Sequence, residues 1–486
     1  MLSASRTAYK QTCLSMPRFR LVQVFFLLFL IALAVSALAG LPLTWDGAFD
    51  LFKTLDAQSP YIPHNRLINA ALELPVLASS HLTQNSTFLR MVFCLSYALV
   101  PAAGLAASWL ICREKHPSIF VWPVLSCCLA MLPGQAGFCF EAIMCVWLMW
   151  PVFLAALIGL RRSHLPVAAL MALAGFLAYP ITAVLFALSA GVTVIAAFTS
   201  PTNRRQRLYG ATVLGLMAVA RMLVPLTEYE KQHLSIQVVL HAFRVAVLGL
   251  PLVALAFSLV GLACLLNSAR NHSEARQVSK SDYVAIAAIL AAGATLVPWA
   301  LDPRQWAWEL AYRFWAVPIA TVFMIAAALE VLYVARSSDH ESPSQNTRLV
   351  VLPFIGGVFL VVLSLQGLVW SRLTDSLERT LSAVPAGCIP RVALVWTTHT
   401  PLEHWGAAPY AIDIQGRKPK TLILDNCREF FSTGETRLSK RMLLPRHDVR
   451  LEDIPVLRRG GWFDLADIPE TIISLRQLKP QEWAAP

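Results

Sequence analysis

The chain has 486 residues, 57% of them hydrophobic and only 14% charged, and it carries a formal charge of +11. Soluble domains are roughly a quarter charged, so this composition excludes a disordered chain, a disulfide mini-scaffold and a coiled coil. A basic soluble protein would suggest nucleic acid, but the polar residues for a wet basic face are missing, and no nucleic-acid partner is expected.

Crossing the hydrocarbon core takes roughly 20 apolar residues. Runs of this kind occur at 21–41, 88–112, 118–133, 142–160, 165–178, 181–199, 208–226, 245–266, 283–301, 314–335 and 349–370. They predict an all-α polytopic membrane protein of about eleven transmembrane helices. The stretch 165–199 is too long for one span. It divides at Tyr179-Pro180, because proline lacks a backbone donor and disfavours helix in the residue before it; one kinked helix is the alternative. Lys and Arg favour the cytoplasmic side of a membrane. Alternate segments hold 16 basic residues on one side and 7 on the other. The count puts the tail 1–20 in the cytoplasm and the C-terminus outside. The first span reads as a retained anchor, since no A-x-A-like cleavage site is well placed. Most of the +11 therefore records how the chain is threaded, and the outer loops are slightly acidic.

The first outer loop, 42–87, is long. Its Asp46 and Asp50 are four apart and share a face if the segment is helical. Two carboxylates side by side repel when both are ionised, which raises one pKa and makes a proton acceptor. The alternative is a turn at Asp46-Gly47 with the acids capping a helix start. Residues 64–80 are apolar on one side and charged on the other, with Arg66 and Glu73 seven apart on one face. They suit a helix lying along the interface. His64 and Arg66 open this segment.

Arg221 lies near the outer end of the seventh run, where a charge is expensive and is either functional, paired or snorkelling. Glu330, in the tenth run, is nearer the inner end and is a poor partner for it by depth. The loop 227–244 reads as a surface helix with a structural role. The loop 302–315 carries Arg304, Trp306, Tyr312 and Arg313. Aromatic faces stack on sugars and arginine pairs with phosphate bidentately, although an interfacial aromatic belt explains the Trp residues equally well.

Residues 371–486 have 16 Lys/Arg and 14 Asp/Glu and read as a small α/β domain outside the membrane. An amphipathic helix at 371–384 and short strands at Val392–Thr397, Tyr410–Ile414 and Thr421–Leu424 are expected. Cys388 and Cys427 are the only cysteines of this domain, and either a disulfide or two buried thiols fits. His399 to Trp405 lacks zinc spacing and fits a capped helix start better. No Walker, Rossmann or nucleophile-elbow motif occurs.

The layout of many spans, an Asp-Gly motif directly after the first span at residues 45–66, an interfacial helix in that loop and an outer C-terminal domain resembles the GT-C class of integral membrane glycosyltransferases. The resemblance implies transfer of a sugar from a polyprenyl-phosphate donor to a glycan or lipid-linked acceptor on the outer face, within membrane lipid, in a bacterial inner membrane. It implies Asp46 as the base that activates the acceptor hydroxyl. Asp50 would assist or hold a divalent metal ion. Arg66, Arg304 and Arg313 would hold the leaving phosphate, with Arg221, His64, Tyr312 and Trp306 also binding substrate. Two other functions fit the same layout: a transporter or flippase of lipid-linked saccharides, and a non-catalytic subunit of an envelope polysaccharide machine.

Overall fold

The structure, a computed structural model, describes residues 2–44, 46–62, 66–131, 141–159, 161–201, 203–227, 230–231, 280–302, 309–336, 349–390, 407–424 and 427–428, together with Ser258, Gly261, Cys264 and Ile473. The protein is predominantly helical. Among the described residues, four helices are long and apolar enough to cross a membrane: Phe19–Leu38 within α1 (Leu2–Leu38), α4 (Ser86–Cys112), α8 (Thr182–Thr199) and α12 (Val351–Ala383). The other described runs also form helices: α5 (Val121–Met131), α6 (Glu141–Ile158), α7 (Leu165–Ala178), α9 (Arg204–Leu223), α10 (Lys280–Leu301) and α11 (Glu309–Arg336). Several are short. The 11 residues of α5 rise only about 16 Å. The run at 245–266 lies outside the described residues except for Ser258, Gly261 and Cys264.

Helices that are apolar on every side are buried on every side. From Ala142 to Ile158 every residue of α6 is buried, as is all of α5. The α6 helix is the hub, touching α4, α5, α7, α8, α9 and α11. Its closest approach is to α4, where Gly104 faces the backbone of Trp147. The α1 and α12 helices run side by side, with Phe29 stacked on Phe359 at 4.9 Å and Gly356 against Phe25 and Leu28. Tyr179 is extended and separates α7 from α8. The Thr182 hydroxyl donates to the carbonyl of Tyr179 at 2.7 Å, closing the break into two helices as the Tyr179-Pro180 pair predicts.

Arg207 and Glu330 are among the charges held inside this bundle. Arg207, in the first turn of α9, is 2% exposed. Its Nε donates to Leu157 O at 2.8 Å and its Nη1 to Ala196 O at 3.2 Å. It therefore satisfies carbonyls at the C-terminal ends of α6 and α8, where a cation is favoured. Glu330 accepts from Ser118 Oγ and from Trp122 Nε1 at 2.7 Å.

The first outer loop holds two helices, α2 (Asp46–Ala57) and α3 (Ile68–Leu82). The α3 helix does not lie on the surface by one polar face, as expected for 64–80; it buries Asn69, Glu73 and Ser80. Arg66 precedes it, so the expected Arg66–Glu73 face is absent.

The expected boundary at 370/371 falls inside α12, which continues without a break to Ala383. The stripe Gln366, Trp370, Leu373, Leu377 and Leu381 stays buried across that point. A βαβ unit follows: β1 (Gly387–Pro390), α13 (Ala407–Gln415) and β2 (Thr421–Leu424), with β1 and β2 parallel and Cys388 opposite Leu422. Tyr410–Ile414 is thus helix, not strand, because parallel neighbours need a crossover connection and α13 lies on it. Gly416, at φ +78°, ends that helix. Val392–Thr397 lies outside the described residues.

Cys388 and Cys427 are joined in a disulfide that closes a sequence separation of 39. Replacing both with Ser is expected to destabilise the βαβ unit by about 4 kcal/mol on loop entropy. Limited proteolysis should then cut within 388–427 while leaving the helical bundle intact.

Candidate functional site

The α2 helix carries the two candidate carboxylates one turn apart. Asp46 is its first residue, and its side chain lies outside the described ones. Asp50 is buried, as are Lys53 and Thr54 on the next turn. Burial holds the Lys53 ammonium below the usual lysine range, with Asp56 partly opposing the shift. Sequence reasoning counted Lys53 only as a loop charge; its i, i+3 spacing from Asp50 was the available signal. Lys53 lies three residues after Asp50 on this helix, and no metal step is derived. Among the described residues no three His, Cys, Asp or Glu side chains converge.

A packed path leads from α2 to the arginines. The Phe49 ring meets Tyr61 edge-on at 5.7 Å. The Tyr61 backbone N–H donates to Glu73 Oε2 at 2.6 Å, anchoring the chain that enters α3. Arg66 then lies with its guanidinium 4.5 Å above the Tyr179 ring, at the break between α7 and α8. Its Nε is 3.9 Å from Glu230 Oε1. Arg221, in the last turn of α9, is 6.0 Å from the Phe176 ring and lies within the fields of Glu230 and Arg66. Arg66, Arg221 and Glu230 are all buried.

The fold therefore unites two of the expected phosphate ligands, Arg66 and Arg221, from distant parts of the chain. Glu230 joins them although 227–244 reads as a structural surface helix. The overlooked signal was the Thr227-x-x-Glu230 spacing of a capping box. Tyr312 and Arg313 stand in the first turns of α11, in a helix and not in the loop assigned to them, with side chains outside the described residues. His64, Arg304 and Trp306 lie outside the described residues altogether.

A second charged cluster joins the C-terminal unit to the bundle. Tyr410 packs on Trp370 of α12 at 5.3 Å, and burial pushes its hydroxyl up to about 12. Asp413, one turn on, is 2% exposed, and neither of its oxygens has a hydrogen-bond partner among the described residues. Burial raises it well above the carboxylate range, and Arg90 of α4 opposes the shift only in part. A raised folded-state pKa stabilises at low pH. As pH climbs past the usual carboxylate range, the unfolded chain ionises while the folded one holds its proton, and stability falls. Thermal unfolding is expected to show this loss as pH rises above about 4, the ordinary carboxylate value, and Asp413→Asn should flatten it and raise the melting point at the alkaline end.

No protein family model, curated protein or solved structure shows significant similarity to the chain.

Proposed function

We propose that the protein is a GT-C-like membrane glycosyltransferase. It moves a sugar from a polyprenyl-phosphate donor to a glycan or lipid-linked acceptor on the outer face of a bacterial inner membrane. In this reading about eleven spans thread the chain with its N-terminus inside, and the disulfide-bearing C-terminal unit sits in the oxidising compartment outside. The observation that carries the reading is the burial of Arg66 and Arg221 around Glu230, in a chain whose helix α2 bears the acids. Guanidinium groups in a partly dry site neutralise the charge that develops on a leaving phosphate. Asp46 takes the proton of the acceptor hydroxyl as its oxygen attacks the anomeric carbon. The bond from that carbon to the phosphate oxygen breaks, and the polyprenyl phosphate leaves with the electron pair. Asp50 and Lys53 set the field around the base from inside α2. Arg304, Arg313, Tyr312, Trp306 and His64 remain proposed contacts to the sugar and its phosphate.

Glu330 and Arg207, buried in the bundle, favour a second reading, a transporter or flippase of lipid-linked saccharides, because intramembrane charges mark transport paths. Deleting the protein and profiling lipid-linked sugars separates the two. The transferase reading expects polyprenyl-phosphate sugar to accumulate on the outer leaflet with an unextended acceptor. Accumulation confined to the inner leaflet would support the flippase instead.

A further inference from the structure

One end of the bundle gathers basic side chains from several segments. There α4, α6 and α8 finish and α7 and α9 begin. Glu114, just after α4, pairs with Arg161, just before α7. Arg113 and Lys115 flank that glutamate, and Arg162 follows that arginine. Asn203 Nδ2 donates to Ile158 O at 3.2 Å and Arg207 Nε to Leu157 O at 2.8 Å, which ties the start of α9 to the end of α6. Arg204 holds its guanidinium 5.0 Å from the Phe198 ring at the end of α8. Arg113, Lys115, Arg162, Arg204 and Arg205 are exposed, and none has an ion pair among the described residues. Between Glu114 and Glu228 the sequence has one further acid, Glu141, and it stands at the opposite end of α6. Glu114 is therefore the one carboxylate that residues 113–207 bring to this end, and Arg161 already holds it.

Two further features point to an occupant. His164, whose backbone N–H donates to Arg161 O at 3.0 Å, is 9% exposed, and its buried Nδ1 has no hydrogen-bond partner among the described residues. Buried polar groups ordinarily complete their hydrogen bonds. Burial, and then Arg161, hold its imidazole below the usual histidine range, with Glu114 opposing in part and Arg113 and Lys115 adding to the effect. The apolar neighbours favour a lipid over a soluble anion. Leu110, Leu165, Ile195 and Phe198 are exposed, each on the helix side of the cations that cluster here. A phosphate head on the cations and acyl chains along these side chains match both features. The count of loop charges places this end in the cytoplasm, where the leaflet surface is anionic.

We propose that this end of the bundle is a binding surface for anionic phospholipid, with Arg113, Lys115, Arg162, Arg204 and Arg205 on the phosphodiester headgroups and the acyl chains lying along Leu110, Leu165 and Phe198. The cations do more than thread the chain. Arg161 is fixed by Glu114 and Arg204 by Phe198, so the collar is organised before a lipid arrives, and ordering it on binding costs less entropy. Anionic headgroups supply the countercharge that the protein itself lacks here. The surface is separate from the first outer loop, which leads into the opposite end of α4, and the proposal stands apart from the glycosyltransferase reading.

The test titrates the purified full chain, in neutral detergent, with dioleoylphosphatidylglycerol, dioleoylphosphatidylcholine or soluble glycerol phosphate, and reads thermal stabilisation. Two variants remove the exposed cations by halves, Arg113→Gln/Lys115→Gln/Arg162→Gln and Arg204→Gln/Arg205→Gln. Each keeps part of the charge that threads the chain and spares Arg161 and Arg207, whose side chains hold the fold. The control is Arg372→Gln/Arg379→Gln, exposed positions on the later part of α12. The wild type is expected to be stabilised by the glycerol lipid at a roughly tenfold lower fraction than by the choline lipid, and not by glycerol phosphate. Each collar variant should raise the half-saturating fraction of the anionic lipid about fivefold or more and leave the choline response alone. The control should match the wild type. Equal response to the two lipids overturns the proposal, as do collar variants that bind like the wild type or a control that weakens binding as much as they do. Stabilisation by glycerol phosphate equal to that by the anionic lipid overturns it in favour of a soluble anion. If the collar variants do not fold, salt decides with the wild type: the preference should fade between 50 mM and about 500 mM salt, and a salt-independent preference overturns the proposal.

Discussion

Asp46→Asn is expected to lower sugar transfer by about 10²–10⁴-fold, the usual contribution of a positioned general base, without unfolding the protein. Asp46 is the first residue of α2, a position where asparagine also suits a helix start, so local structure should survive. Asparagine cannot take the acceptor proton. The measurement is product formed per unit of folded protein at matched expression. Product at the wild-type level would remove Asp46 as the base. A loss confined to Asp50→Asn would move that role one turn along the helix, into the buried setting that Asp50 shares with Lys53 and Thr54.

Gly104→Val is expected to destabilise the bundle by on the order of 3 kcal/mol or more, through overpacking. A Cβ at Gly104 would stand 2.5 Å from the carbonyl oxygen of Trp147 and 2.9 Å from its carbonyl carbon. That obstacle is backbone, so no rotamer change relieves it. The α6 helix cannot retreat easily, since it is enclosed by α4, α5, α7, α8, α9 and α11. Thermal unfolding in detergent should show a melting point lower by roughly 3 °C or more or a collapse in yield. Gly215→Ala is the control. No atom lies within 4 Å of a Cβ there, and alanine in mid-helix should gain about 0.5–1 kcal/mol. Equal effects at the two positions would refute the close crossing of α4 and α6.

Much of the bundle was legible because long apolar runs have few conformations to choose from. The Tyr179-Pro180 break was legible because its cause is local and steric. The helix at 371–384 was legible from its spacing, but its fusion with the preceding span was not, because the composition turns polar at 370 while the 3–4 residue spacing of Gln366, Trp370, Leu373, Leu377 and Leu381 goes on unchanged. Spacing was the better guide than polarity. Tyr410–Ile414 was misread because five residues are too few to show a period. The burial of Arg207 was not legible because a count of loop charges says nothing of exposure, whereas this arginine caps two helix ends. In the site, Asp46 and Asp50 could be set on one helix from their spacing. The meeting of Arg66 with Arg221 could not be read, since it depends on how α7, α8 and α9 pack around Tyr179. Glu230 was hidden for the same reason, though its capping partner Thr227 is visible in the sequence.

The glycosyltransferase proposed above breaks a bond between a sugar and a polyprenyl phosphate. The most direct measurement reconstitutes the purified full chain in vesicles with polyprenyl-phosphate sugars, labelled in the lipid and in the sugar, and an acceptor glycan. Free polyprenyl phosphate and extended acceptor are expected in equal amounts with the wild type, and neither with Asp46→Asn. Labelled lipid that crosses the bilayer with its sugar still attached, and with no polyprenyl phosphate released, would contradict it.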